Sequence, residues 1–139
     1  MQNQYEISMN TLSLSEFTAL CSSVGWTDAM NFEAAKDSLK NTLLSVTIRE
    51  NGHAIGMGRI IGDGSIYFYI QDVVVHPDYQ GKRIGKKILT TLINYLEENA
   101  PNKAFVGLFA SEGNESFYEK FDFKDYAPNM TGMFKVITK

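Results

Sequence analysis

The segment Ile66–Ala100, IYFYIQDVVVHPDYQGKRIGKKILTTLINYLEENA, constrains the fold more than any other part of the chain. Its first part, Ile66 to Val75, is apolar or aromatic almost throughout instead of alternating, the pattern of a central strand covered on both faces. From Ile84 to Asn99 apolar residues recur at Ile84, Ile88, Leu89, Leu92, Ile93, Tyr95 and Leu96, while Lys86, Lys87, Thr90, Asn94, Glu97 and Glu98 take the opposite face. That spacing predicts a strong amphipathic helix. A helix of this length returns the chain across the sheet, so the next apolar stretch, AFVGLFA, is expected to lie parallel to the first strand after a right-handed crossover.

Upstream, LLSVTIRENGHAIGMGRIIGDGSIYFYIQDVVV reads as three antiparallel strands, because Asn51-Gly52 and Asp63-Gly64 suit the positive φ angles of two-residue hairpins. Tyr5 to Met9 alternates weakly and is a candidate first strand; SLSEFTALCSSV follows as a helix capped by Ser13 or Ser15. A second helix is expected from Asn31 to Asn41, with Asn31 as cap. A short helix near Asn114 to Lys120 and a final strand pair near Phe123 to Tyr126 and Met133 to Thr138 complete an α/β chain with a mixed sheet.

At 139 residues, with no repeat or linker, one domain spanning 1–139 is the expectation. No apolar run approaches the roughly 20 residues of a membrane span, so no membrane partner is expected. A net charge of −3 argues against nucleic acid as a partner. The N-terminus shows no signal-peptide pattern, and the lone Cys21 suits a reducing cytoplasm. His53, His76 and Cys21 offer no metal-site spacing, and His76, ahead of Pro77, reads as a turn residue.

The loop YQGKRIGKK has the chemistry of an anion site: amide groups at a helix N-terminus are unsatisfied and the helix dipole adds partial positive charge. Lys82, Arg83, Lys86 and Lys87 strengthen this; the alternative is a solvated basic turn in which Gly81 and Gly85 permit the bend. A Walker loop is excluded, since Gly81–Lys86 is one residue short and lacks the hydroxyl that follows the lysine. Gly56, Gly58 and Gly62 fail the dinucleotide fingerprint in spacing and lie inside strand signals, where glycine marks a bulge or a close backbone approach.

The succession IQDVVVHPDYQ, QGKRIG, KKILTTLINYLEE, AFVGLFA and NESFYEKFDF resembles the GNAT superfamily of acetyl-CoA-dependent N-acetyltransferases over roughly Leu43 to Phe123. The local pattern is most similar to the small-molecule branch that includes glucosamine-phosphate N-acetyltransferases. The resemblance implies a mixed, mostly antiparallel twisted sheet with a splayed central parallel pair, flanked by about four helices. It implies acetyl-CoA as co-substrate, with the pantetheine arm between the Ile66–Val75 and Phe105–Ala110 strands, paired to free backbone groups of Val73, Val74 and Val75. The pyrophosphate would fall on Gln80, Gly81, Lys82, Arg83, Ile84, Gly85 and Lys86. Arg83 stands where the family motif usually carries glycine and is expected to donate its amide with φ negative; Asp122 replaces another usual glycine, at a turn where αL is expected.

By the same resemblance Tyr118 is the general acid, and Asn114, Phe117 and Lys120 belong to the cofactor's surroundings. The alternative for Asn114 is a helix N-cap, a role that can coexist with cofactor contact, and that for Tyr118 is a core aromatic beside Phe117, Phe121 and Phe123. Asp72, the ionisable residue of the central strand, is a candidate base, directly or through water; its alternative is a carboxylate satisfied by backbone or a cationic neighbour. Acceptor-pocket candidates are Trp26, Met57, Arg59, Tyr67, Tyr69, Phe109 and Met133, with Arg59 either binding a phosphate or carboxylate on the substrate or snorkelling to solvent. The expected activity is acetyl transfer to a primary amine of a small molecule. The alternatives are an acyl-CoA sensor without turnover and a protein N-terminus or lysine acetyltransferase; a homodimer is possible.

Overall fold

The computed structural model describes residues 4–139. They form two compact units divided after Gly107, the second being residues 108–139. The first unit runs β1 (Tyr5–Met9), α1 (Leu14–Ser23), α2 (Phe32–Lys40), β2 (Leu44–Glu50), β3 (His53–Gly62), β4 (Tyr67–Val75), α3 (Ile84–Asn99) and β5 (Phe105–Gly107), and the second contains α4 (Glu115–Glu119). The strands make one sheet in the order β1-β2-β3-β4-β5, antiparallel except for the β4–β5 pair. The expected mixed α/β architecture is therefore present.

Local chemistry sets the element ends. Ser13 and Glu16 form a capping box on α1: the Ser13 hydroxyl accepts the Glu16 amide at 3.1 Å and Glu16 Oε1 accepts the Ser13 amide at 3.0 Å. Asn31 Oδ1 caps α2 by accepting the Ala34 amide at 3.0 Å. Asn51 and Gly52, with φ of 51° and 84°, make the tight β2–β3 turn. The β3–β4 connection is wider than a two-residue hairpin. There only Gly64 takes positive φ, and the Asp63 carboxylate gathers the amides of Ser65, Ile66 and Tyr67 at 2.7–3.0 Å.

The sheet is covered on both faces, as the unbroken apolar run of β4 implies. On one face α3 lies close over β3, where a Cβ on Gly56 would come within 2.9 Å of Ile84 and one on Gly58 within 2.6 Å of Ile88. Glycine is required there for close approach. On the other face α1 and α2 bury Phe17, Leu20, Cys21 and Ala35 with Met57 and Val74 of the sheet.

Two expectations are corrected. AFVGLFA contributes only Phe105–Gly107 to the sheet. Among the described residues no strand follows Gly107, so the pair near Phe123–Tyr126 and Met133–Thr138 does not form. Without a pairing strand to cover a face, Met133, Phe134, Val136 and Ile137 stay exposed, and the alternation that suggested strands has nothing to act on.

Candidate active site

β4 is paired with β5 only through Tyr67–Phe105, Phe68–Val106 and Tyr69–Gly107. Beyond Tyr69 it continues to Val75 with β3 as its one strand partner among the described residues, so that no strand pairs with Ile70–Val75 along the other edge. The cause lies in β4 itself. Met57 pairs with Val74 and Arg59 with Gln71, so Asp72 and Val73 together face the single residue Gly58. This is a β-bulge, and Asp72 takes a left-handed φ of 56° within it. A bulge bends and twists its strand, which ends the parallel ladder and exchanges the faces to which alternate residues point. Val74 thus reaches the α1–α2 core, while Val73 lies toward α3 beside Gly58.

The open strand leads into the basic loop. Gln80 Nε2 donates to the Val75 carbonyl at 3.0 Å, so that carbonyl is already engaged. Gly81 has φ 82° and open space where a side chain would stand. Arg83 precedes α3 with φ 64° and ψ 20°, contrary to the negative φ expected of it, and its side chain does not cap the helix. The loop must turn sharply from the strand into the helix, and Gly81 and Arg83 both accept left-handed geometry to do so. The first helical bond runs from the Lys87 amide to the Arg83 carbonyl at 3.2 Å, so the amides of Ile84, Gly85 and Lys86 precede it and are available to an anion. These groups fit a pyrophosphate.

Residues outside the expected set hold the loop. The Tyr79 hydroxyl donates to Glu50 Oε1, and Tyr79 meets Tyr5 edge-on with ring centroids 6.3 Å apart. The Lys82 ammonium lies 5.2 Å from the Tyr79 ring centroid, and that of Lys87 lies 6.0 Å from Tyr5. His76 serves the turn, its Nδ1 accepting the Asp78 amide at 3.1 Å. Tyr79 was visible in the sequence within HPDYQ, but its partner Glu50 is too distant along the chain to be linked with it.

Arg59 neither snorkels nor faces a ligand. It is 5 % exposed, and its guanidinium donates to Asp72 Oδ2 from Nε at 3.0 Å and from Nη2 at 2.9 Å. Its remaining donors meet the Ser38 carbonyl, the Ser38 hydroxyl and Thr42 Oγ1 at 3.2, 3.2 and 2.6 Å. All five N–H groups are engaged within the protein, which leaves none for a substrate anion. Met57 is likewise fully buried in the core. Trp26 packs half-buried against the α1–α2 cluster. Tyr67 and Tyr69 flank the Phe105 ring at 6.1 and 5.8 Å.

In the second unit Tyr118 stands edge-on to Phe117 and Phe123 at 5.1 and 6.3 Å. Burial pushes its phenol above the ordinary tyrosine value. Asp122 has the expected left-handed turn, with φ 70°. Asn114 occupies the position before α4, but its side chain caps nothing. Phe117 also meets Phe121 edge-on at 5.8 Å, Lys120 closes α4, and Phe109 packs on Phe134 at 6.2 Å. Met133 is exposed. Among the described residues no cluster of three metal-ligating side chains occurs, and no helix is long and apolar enough to cross a membrane.

Known proteins resemble the chain along nearly its whole length. Residues 14–133 match the family model described as an acetyltransferase (GNAT) domain. An uncharacterized N-acetyltransferase, ycf52 of Pyropia yezoensis, is 32% identical over 134 residues, covering 94% of this chain and 75% of the relative. Glucosamine 6-phosphate N-acetyltransferase of Schizosaccharomyces pombe is 38% identical over 78 residues, covering 51% of this chain and 68% of the relative. A crystal structure from meticillin-resistant Staphylococcus aureus, of a protein of unknown function described as a probable acetyltransferase, superposes with a TM-score of 0.88 at 30% identity, over 96% of this chain and 99% of that one. The chain belongs to the GNAT family of acyl-CoA-dependent acetyltransferases.

Proposed function

We propose that the chain transfers the acetyl group of acetyl-CoA to a primary amine of a small molecule by direct attack, with Tyr118 as general acid. The observation that carries this is the run of β4 beyond Tyr69, unpaired along one edge and leading into the free amides of Ile84, Gly85 and Lys86. Acetyl-CoA supplies the thioester. Val73, Val74 and the Val75 amide offer backbone groups to the pantetheine amides and the thioester oxygen, and Gln80 to Lys86 hold the pyrophosphate. Tyr118 gives its proton to the departing thiolate, while Asn114, Phe117 and Lys120 line its surroundings. Asp72, whose Oδ1 receives no donor among the described residues, takes the amine proton directly or through water.

Direct attack is supported by Cys21, which is buried and whose thiol burial pushes up to about 11, so it carries no thiolate near neutral pH. A small-molecule acceptor is supported by the similarity to the Schizosaccharomyces pombe glucosamine 6-phosphate N-acetyltransferase. For the acceptor pocket we propose Trp26, Tyr67 and Tyr69. A reducing cytoplasm as the location is part of the same proposal, in keeping with the lone Cys21, as is a homodimer through the exposed C-terminal apolar residues.

The test is thiol release from acetyl-CoA across an amine panel, with wild type and Tyr118→Phe. Turnover of a small amine that falls in the variant is expected. Acetyl-CoA binding with no amine acetylated would instead favour a sensor, and labelling of proteins alone in a lysate supplied with labelled acetyl-CoA would favour protein acetylation.

A further inference from the structure

We infer that Arg59 is a positioning residue for acetyl transfer, acting through Asp72 to hold the β4 bulge in the conformation that aims Val73–Val75 along the open edge. This rests on the proposed role of those backbone groups. Asp72 is an acid in left-handed geometry, φ 56°, inside a strand, where glycine is the residue without steric cost. What holds it there is local: two N–H groups of Arg59 converge on Oδ2, and Arg59 sits on β3 directly opposite Gln71, the neighbour of Asp72. The fork is rigid and planar, so it fixes the direction of the carboxylate as well as its charge.

The other end of the same guanidinium reaches across the α1–α2 face. It donates to the Ser38 carbonyl and hydroxyl near the end of α2 and to Thr42 beyond it, and its central carbon lies 5.5 Å from the Phe17 ring centroid of α1. The ion pair is sheltered, with side-chain exposures of 6 % and 13 %. One side chain thus joins α1, the end of α2, β3 and the bulge of β4, and any shift of α2 is passed to the strand edge that meets the thioester. The sequence motif of the loop contains none of these residues.

A double-mutant cycle over Arg59→Met and Asp72→Gly tests this, because glycine adopts the bulge conformation without a tether. Acetyl-CoA affinity by calorimetry and thiol release with the best amine substrate are the two readouts. Arg59→Met alone is expected to weaken acetyl-CoA binding about 10-fold and kcat about 100-fold, with the amine KM little changed. In the Asp72→Gly background, which lacks the proposed base and is read by acetyl-CoA affinity alone, the same substitution should change that affinity by less than about two-fold. Arg59→Lys, which keeps the charge and loses the fork, is the second variant should Arg59→Met not fold, and an intermediate loss of kcat is expected. Losses from Arg59→Met that persist undiminished in the Asp72→Gly background, or a lowered melting temperature with binding and kcat intact, would overturn the inference. A cycle that behaves as expected in binding while no amine is acetylated would leave the positioning role standing and remove the proposed reaction.

Discussion

Arg83 and Tyr118 show how much turns on single residues. Arg83 carries a Cβ into left-handed backbone at the foot of α3, which costs an ordinary residue on the order of 1 kcal/mol, and more when branched at Cβ. Arg83→Gly should leave stability unchanged or slightly raised, and Arg83→Val should lower it by about 1 kcal/mol, as read from urea unfolding. The family resemblance flagged the position, but the sign of φ was not legible, because the turn needed to reach the helix is a property of the strand and helix directions. Tyr118 has its phenol pushed upward by burial, so the proton-donating form persists through neutral and mildly alkaline pH. The rate should fall only above the ordinary tyrosine range near pH 10, and Tyr118→Phe should lose about 100-fold in kcat together with that alkaline limb of the pH–rate profile.

At the scale of elements, the junction of α1 with β2 is governed by charge and that of α3 with β3 by shape. Glu16 closes the capping box of α1 and takes a bidentate bond from Arg49 of β2, with both distances 2.8 Å. The Arg49 bond foremost holds the Glu16 carboxyl at about 2, down from 4.5. Because the folded value lies below the unfolded one, the stability this linkage contributes is present above pH 4.5 and is lost as pH falls toward 2. Acid unfolding followed by circular dichroism should therefore move to higher pH in Glu16→Gln if the wild type unfolds within that window. At the α3 junction Gly58 meets Ile88 and Leu92 with no room for a methyl group. Gly58→Ala should cost about 1–3 kcal/mol, as measured by thermal unfolding. The glycine spacing suggested a close approach or a bulge from the sequence alone, and Gly58 serves both, facing the bulge across the sheet and α3 above it.

For the molecule as a whole, the core on the α1–α2 face isolates Cys21 from solvent, and burial raises its thiol to about 11. Ellman's reagent at pH 8 should react with it only after denaturation; prompt reaction of the native protein would remove the support for direct transfer. The strand–loop–helix order, the capping residues Ser13 and Asn31 and the full extent of α3 were legible because each depends on periodicity or a contact three or four residues away. The expected C-terminal strands were not, because a strand exists only where a partner covers its face and edge, and the exposed Met133–Ile137 side chains have none. By itself, then, the sequence determined the local elements and the basic, glycine-bearing loop between β4 and α3, since these are fixed by neighbours along the chain. Only the tertiary structure decided that Asp72 bulges, that β4 parts from β5 after Tyr69 and that Arg59 is spent on Asp72, Ser38 and Thr42, because each joins residues that folding, not chain order, brings within reach.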